Sequence, residues 1–329
     1  MSVAKLRWGF LSTAKVNRLL LPALRSSLRN LPLAVASRDL QRARSFADEC
    51  DIPRAYGSYE ALLQDPDVDV VYVSLPNGMH AEWAIHAAKA GKHILCEKPL
   101  AMNTREVDAM AEEASRAGVV LAEALMYRHH PLTKRVKEVV DGGAIGEVLI
   151  VRGSFSIDLS NNLNDIRLDP ELGGGSIWDV GSYPISYARY VVGAMPSRVF
   201  AHQVTGPSGV DELLVGQMQY ESGTLAVIDC GFRSPYRTRL EIVGSQGAIG
   251  VPFPFEPDRH ASLLLTRADG TAAIDVDGAE LYQGEIEDMA DAILLGNPCQ
   301  VGISESRDNI ATMEALVLSA TENRPVTLN

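Results

Sequence analysis

The sequence predicts an α/β protein of two domains: an N-terminal doubly wound parallel sheet, then an α+β domain with a large, mostly antiparallel open sheet. Three observations carry this expectation. The chain has 329 residues, more than one ordinary core organises. Its first third alternates short apolar runs with segments of helical period, joined by short links. After about Tyr127 long stretches of alternating polar and apolar residues take over. The division is placed between residues 123 and 124.

The elements follow in order. Leu6-Arg7-Trp8-Gly9-Phe10-Leu11 reads as a strand. Val16, Leu19, Leu20, Ala23 and Leu24 recur at helical spacing, and Pro22 predicts an interruption. Leu33-Ala34-Val35-Ala36 is the second strand, and Asp39 can cap the helix through Phe46 and Ala47. The run from Val68 to Leu75 is a strand of the β-branched, doubly buried type. A helix spans Met79 to Ala90, with Gly91 as its C′ residue, and His93 to Cys96 is the next strand. Asn103 or Thr104 starts a helix ending near Gly118, before the strand Val119-Val120-Leu121-Ala122.

Beyond Tyr127, a helix from Thr133 to Val140 precedes the β-rich region. Its strands include Val148 to Ser156, Arg198 to Val204, Leu213 to Tyr220, Thr224 to Cys230 and Arg237 to Val243. Turns such as Glu221-Ser222-Gly223 join them, which suits an antiparallel sheet with one face covered. Helices from Trp178 to Val192 and Ser304 to Thr321 can cover that face.

Composition narrows the function classes. A net charge of -12, from 30 basic and 42 acidic residues, argues against nucleic acid as a partner. No apolar run reaches the roughly 18 residues of a membrane span. Met1 to Arg7 leads straight into a strand pattern without a signal segment, so a cytoplasmic protein is expected. The four cysteines, Cys50, Cys96, Cys230 and Cys299, are widely spaced and read as reduced thiols. No metal is expected: His129 and His130 are adjacent, so they face apart, and no third ligand has a suggestive spacing. Glu285, Glu287 and Asp288 read as a solvated helix face.

The tripeptide Glu97-Lys98-Pro99 stands at the end of the strand His93 to Cys96. Proline ends the ladder and holds the lysine at a strand's C-terminal tip, where open α/β sheets bind ligands. A cis Lys98–Pro99 bond is one geometry for that loop. The first strand leads into Ser12-Thr13-Ala14-Lys15-Val16-Asn17, where a Rossmann turn would read G-x-G-x-x-G. Ser, Ala and Asn fill all three glycine slots, so the fingerprint is weak, although a helix N-terminus there still offers N–H donors. The second strand ends in Ser37-Arg38. An arginine at that tip suits a 2′-phosphate and favours NADP(H), with NAD(H) as the alternative.

Four further segments stand out. Leu75-Pro76-Asn77-Gly78-Met79-His80 follows the long strand, and Met126-Tyr127-Arg128-His129-His130-Pro131 follows the last strand of the first domain. Asp165-Ile166-Arg167 precedes Gly173-Gly174-Gly175. Trp178-Asp179-Val180-Gly181-Ser182-Tyr183 opens a helix, with Asp179 and Tyr183 able to face one side. Glu97-Lys98-Pro99, Pro76-Asn77-Gly78-Met79-His80 and the triple glycine followed by Asp179 and Tyr183 resemble the Gfo/Idh/MocA oxidoreductase family, that of glucose-fructose oxidoreductase and inositol dehydrogenase. The order and spacing cover nearly the whole chain. The branch with Ala124 to Pro131 and a tyrosine at position 183 is most similar to NADP-dependent xylose-type aldose dehydrogenases and dihydrodiol dehydrogenases, with sugar 3-ketoreductases close by.

The resemblance implies a cofactor domain at 1–123 and a substrate-binding and oligomerisation domain at 124–329. It implies that Tyr183 transfers a proton, assisted by Asp179 and Lys98. Ser12, Thr13, Ala14, Ser37, Arg38, Leu75, Asn77, His80, Glu97, Lys98 and Arg128 are expected to border NADP(H). Lys98, Arg167, Asp179 and Tyr183 are expected to meet a sugar or polyol, in a homodimer or homotetramer built through the C-terminal sheet. Hydride exchange at a carbinol needs a partner for the hydroxyl proton, and an ammonium beside a phenol lowers its pKa towards neutrality. A keto-sugar reductase is the runner-up. A non-catalytic sugar or dinucleotide sensor is the third reading, and it would be expected to lose Lys98 or Tyr183.

Overall fold

The computed structural model describes residues 5–328. The chain begins with β1 (Leu6–Leu11), α1 (Asn17–Ser26), β2 (Asn30–Ala36), α2 (Leu40–Glu49), β3 (Arg54–Tyr56), α3 (Tyr59–Leu63), β4 (Val70–Val73), α4 (His80–Lys89), β5 (His93–Glu97), α5 (Thr104–Ala117) and β6 (Leu121–Ala124). It continues with α6 (Met126–His129), α7 (Pro131–Asp141), β7 (Val148–Asp158), α8 (Ser182–Val192), β8 (Arg198–Thr205), β9 (Asp211–Gln219), β10 (Leu225–Gly231), β11 (Arg233–Gly244), β12 (Gly247–Val251), β13 (His260–Arg267), β14 (Gly270–Asp277), α9 (Gln283–Leu295), α10 (Ile303–Glu322) and β15 (Val326–Thr327).

Two compact units result: residues 5–126 with 282–307, and residues 127–281 with 308–328. In the first, a parallel sheet runs β3-β2-β1-β4-β5-β6. The order reverses between β1 and β4, which makes the carboxyl ends of these strands the ligand-binding crevice of a doubly wound sheet. β4 is buried along its whole length, as its unbroken Val-Val-Tyr-Val run requires. Asp39 caps α2 by accepting from the amides of Gln41 and Arg42. Asn103 caps α5, which ends on Gly118 in the left-handed region.

Three expectations need correction here. α1 runs through Pro22 without a break. Pro22 and Arg18 are exposed, so the Arg18 carbonyl that loses its helical partner faces water. Residues 282–307, assigned from sequence to the second domain, pack in the first unit. Arg29 at the start of β2 holds α9 there, reaching Glu287 and Asp291 at 2.5 Å each. The acidic cluster is therefore no solvated face: Glu285 is buried, Glu287 pairs with Arg29, and Asp288 accepts from the Gln300 amide.

The second unit centres on a sheet of order β14-β13-β12-β11-β7-β10-β9-β8-β15. Only the β7–β10 pairing is parallel. α8 lies against β7 at Gly153, where an added Cβ would stand 2.6 Å from the Pro184 Cβ. The missing side chain sets how closely α8 approaches the sheet. The opposite face is uncovered, and Val215 on β9 and Val227 on β10 are exposed. Among the described residues no helix is long and apolar enough to cross a membrane.

Candidate active site

In the first unit, β1 delivers Ser12 with φ 131°, a conformation that favours glycine. Hydrogen bonds hold it there. Its hydroxyl donates to the Ser74 carbonyl at 2.9 Å, bridging the exits of β1 and β4, and accepts from the Ala14 amide at 3.0 Å. Asn17, fully buried in the third glycine slot, donates from Nδ2 to the Ser12 carbonyl at 2.8 Å. Side-chain bonds thus shape a turn that glycines usually permit. No side chain caps the N-terminus of α1; the amides of Asn17, Arg18 and Leu19 donate instead to the carbonyls of Ala14, Lys15 and Val16, and the positive end of the helix dipole faces the turn.

A second donor group gathers after β2. Arg42 donates from Nε to the Thr13 hydroxyl at 2.9 Å. The charges of Arg38 and Arg42 both act on the Tyr59 phenol. Ser37 is buried and accepts from the Asp39 amide at 3.3 Å, while the Asp39 carboxylate is committed to capping α2. Two guanidiniums, and a strand-tip acid already committed to a helix cap, fit a dinucleotide bearing an extra phosphate. Sequence reasoning missed Arg42, although its place four residues after Arg38 was a signal.

The exits of β4 and β5 are bound together. His80 is fully buried, with Nδ1 2.8 Å from the Pro99 carbonyl and Nε2 2.8 Å from the Leu75 carbonyl. Asn77 stands between Leu75 and His80 in a short 3₁₀ turn. The Lys98–Pro99 bond is cis. Glu97 accepts from the Tyr72 hydroxyl and from the Lys98 amide, and buried Glu123 accepts from the Leu100 amide at 2.9 Å. Carboxylates therefore anchor the chain on both sides of Lys98, which is half-buried at the β5 tip. Glu123 was not foreseen from the sequence.

In the second unit, the triple glycine knits a loop to a helix start. The Gly174 and Gly175 amides donate to the carbonyls of Asp169 and Arg167, each at 2.9 Å. A Cβ on Gly174 would meet these same carbonyls at 2.7 and 2.5 Å, so only glycine fits. Residues Ile177–Gly181 form a π-helical turn rather than the regular helix expected from Trp178 onward. This turn sits tightly on β10: a Gly181 Cβ would lie 2.9 Å from Cys230 Sγ. The widened turn carries Asp179, whose Oδ2 pairs with Arg167 Nε at 2.7 Å. Arg167 also reaches Asp165 at 3.2 Å. The Asp179 charge beside it pushes the Arg167 pKa up.

Tyr183 follows on α8, buried among aromatic rings. Its centroid lies 5.2 Å from Phe155, 5.5 Å from Phe255 and 5.8 Å from Tyr127. Tyr127 is itself held by a 2.9 Å hydrogen bond between its hydroxyl and Ser186 Oγ. Arg128 is buried with its guanidinium 3.8 Å from the Tyr190 ring centroid. The structure thus joins Arg167 to Asp179, and Leu75 to His80 and the Lys98 loop, while Arg128 lies against Tyr190.

Residues 7–125 match the model of an oxidoreductase family with an NAD-binding Rossmann fold, and residues 133–250 match the GFO/IDH/MocA C-terminal domain. The chain belongs to the GFO/IDH/MocA oxidoreductase family. Among family members it is similar to D-xylose 1-dehydrogenase (NADP(+)) 2 of Haloferax volcanii, 40% identical over 98% of this chain and 99% of the relative. The trans-1,2-dihydrobenzene-1,2-diol dehydrogenase of Danio rerio is 37% identical over 75% of this chain and 74% of its own. The crystal structure of a 3-ketoreductase from Actinomadura kijaniata, in complex with NADP and TDP-benzene, superposes with a TM-score of 0.91. It is 30% identical and covers 96% of this chain and 98% of its own.

The His80 ring gives this family site a pH signature. Burial holds its pKa below the ordinary value of 6.5, so below about pH 6.5 the unfolded chain takes up a proton more readily than the folded one. The ring's contribution to stability is complete above about pH 6.5 and declines as pH falls towards the folded-state pKa. Urea midpoints at pH 7.5 and 5.5 should therefore draw apart in the native protein and less so in His80→Gln. Equal slopes in both would contradict the assignment.

Proposed function

We propose that this chain is an NADP(H)-dependent oxidoreductase that moves hydride between the nicotinamide and a carbinol or carbonyl carbon of a sugar or related polyol, as an aldose dehydrogenase does. The observation that carries the reading is the full-length match to an NADP-dependent D-xylose dehydrogenase, with Lys98, Asp179 and Tyr183 all present. The turn Ser12-Thr13-Ala14, at the positive end of the α1 dipole, would receive the pyrophosphate. Arg38 and Arg42, beside Thr13 and Ser37, would hold the 2′-phosphate. Leu75, Asn77, His80, Glu97 and Arg128 would border the rest of the cofactor.

Bound NADP(H) supplies or accepts the hydride. The protein's part is the proton. Tyr183 exchanges it with the substrate oxygen, and the ammonium of Lys98 polarises that oxygen and favours the phenolate. Asp179, oriented by Arg167, accepts from a neighbouring substrate hydroxyl. The aromatic rings around Tyr183 fix the phenol's direction and exclude water from its face.

A second reading, reduction of a keto-sugar, is favoured by the likeness to the 3-ketoreductase. A steady-state screen of aldoses with NADP⁺ against keto-sugars with NADPH separates the two. In either direction Tyr183→Phe should lower turnover by about 10²–10⁴ while dinucleotide affinity stays unchanged. Near-normal turnover would remove Tyr183 from the proton step. Arg42→Ala should raise KM for NADP⁺ by about 10–100-fold, the loss of one charge-assisted bond, and leave NAD⁺ kinetics within a few-fold. Equal losses with both dinucleotides would count against a 2′-phosphate site.

We place the enzyme in the cytoplasm as a homo-oligomer. Leu213 and Val215 of β9, with Leu225 and Val227 of β10, expose an apolar stripe on the uncovered sheet face, which suits a second copy of the chain. Light scattering should give a dimer or tetramer that Val215→Asp with Val227→Asp converts to monomer. A native monomer would refute this assembly.

A further inference from the structure

Asp211 opens β9 and reaches beneath the turn that carries Asp179. Its Oδ2 accepts from Ser176 Oγ at 2.5 Å and from the Ile177 amide at 3.0 Å. Its Oδ1 occupies the space of a side chain at Gly175, 2.4 Å from where a Cβ would stand. Gly175 has φ 127°, so glycine is required there twice over, by conformation and by the carboxylate. The helical run beginning at Ser176 has no cap from its own flanking residues, and a strand supplies the carboxylate instead.

Gly175 also connects the two members of the ion pair. Its amide donates to the Arg167 carbonyl at 2.9 Å, and its carbonyl accepts from the Asp179 amide at 3.2 Å. The backbones of Arg167 and Asp179 therefore meet at one residue, and Asp211 fills the space against it. We infer that Asp211 is the positioning residue of the Arg167–Asp179 pair, its carboxylate locking the Gly175–Ile177 turn and so setting the direction from which Asp179 meets the substrate. This inference rests on the role proposed above for Asp179.

The surroundings fit a positioning task better than a stabilising one. Among the described residues no basic side chain pairs with Asp211. The Ile177 amide and the Ser176 hydroxyl hold its charge, with the Cys230 thiol 3.5 Å from that hydroxyl. Burial lifts the Asp211 pKa to about 6. A carboxylate kept ionised there at neutral pH costs stability, and the return is the fixed geometry of the turn.

The test is Asp211→Asn, which keeps the shape and one acceptor oxygen but turns the other side of the group into a donor. In the folded variant kcat should fall at least about tenfold. The Kd for NADPH, by fluorescence titration, and the thermal midpoint should stay near native values. The crystal structure of the variant should show Arg167 and Asp179 beyond the roughly 4 Å reach of a salt bridge. An unchanged kcat, or an intact Arg167–Asp179 pair, overturns the inference. If Asp211→Asn does not fold, Ser176→Ala decides: a fall in kcat of a few-fold supports the clasp and an unchanged kcat refutes it. If the native protein oxidises or reduces no sugar, the proposed function fails, and the Arg167–Asp179 geometry in the variant crystal still decides the role of Asp211.

Discussion

The buried ring of His80 is the contact on which the lysine-bearing tip of the parallel sheet depends. It lies within 2.8 Å of two loop carbonyls, one after β4 and one after β5. These strands are neighbours in the sheet, so one ring governs both exits. A neutral imidazole donates through one nitrogen only, whereas the protonated ring donates to both carbonyls. Lys98 inherits its place from this arrangement, because Glu97 and Glu123 bind the amides on either side of the Lys98–Pro99 bond. Buried acids and a buried histidine are costly to desolvate, and here they are spent on backbone donors and acceptors that a loop would otherwise leave unmatched.

The second unit uses a different device. Asp179 and Arg167 pair across a turn made of glycines, and the π-helical widening after Ser176 re-aims the aspartate relative to α8. Tyr183 is positioned by packing, among Tyr127, Phe155 and Phe255, with α8 seated on β7 at Gly153. Charge is thus fixed through backbone geometry and the phenol through ring contacts. The carboxylate and the phenol therefore stand in very different environments, one ion-paired and the other packed among rings.

Much of this was legible in the sequence. The doubly buried strands of the first unit have unbroken apolar runs, and Asp39, Asn103 and Gly118 mark helix ends by chemistry that local sequence displays. The Lys98 tip and the Asp179–Tyr183 segment were visible as motifs. β3 and α3 were not, because three and five residues are too short to show a period. The partnership of α9 with the first unit rests on Arg29 and Glu287, 258 residues apart, which no local pattern encodes. The filled glycine slots weakened the fingerprint for a related reason. Ser12 keeps its conformation through a hydroxyl bond to Ser74, a contact that exists only once β1 and β4 are side by side. The close approach of Gly181, in the π turn, to Cys230 likewise joins residues far apart in sequence.

The central claim is direct hydride transfer between a sugar carbon and the nicotinamide. Incubating the protein with NADP⁺ and a panel of aldoses deuterated at carbon tests it most directly, with proton NMR of the recovered dinucleotide as the readout. The account predicts reduced NADP carrying deuterium at C4 of the nicotinamide for at least one aldose, and none with Tyr183→Phe on the same timescale. Reduced NADP formed without deuterium, or none from any sugar while NADP⁺ binds normally, would contradict it.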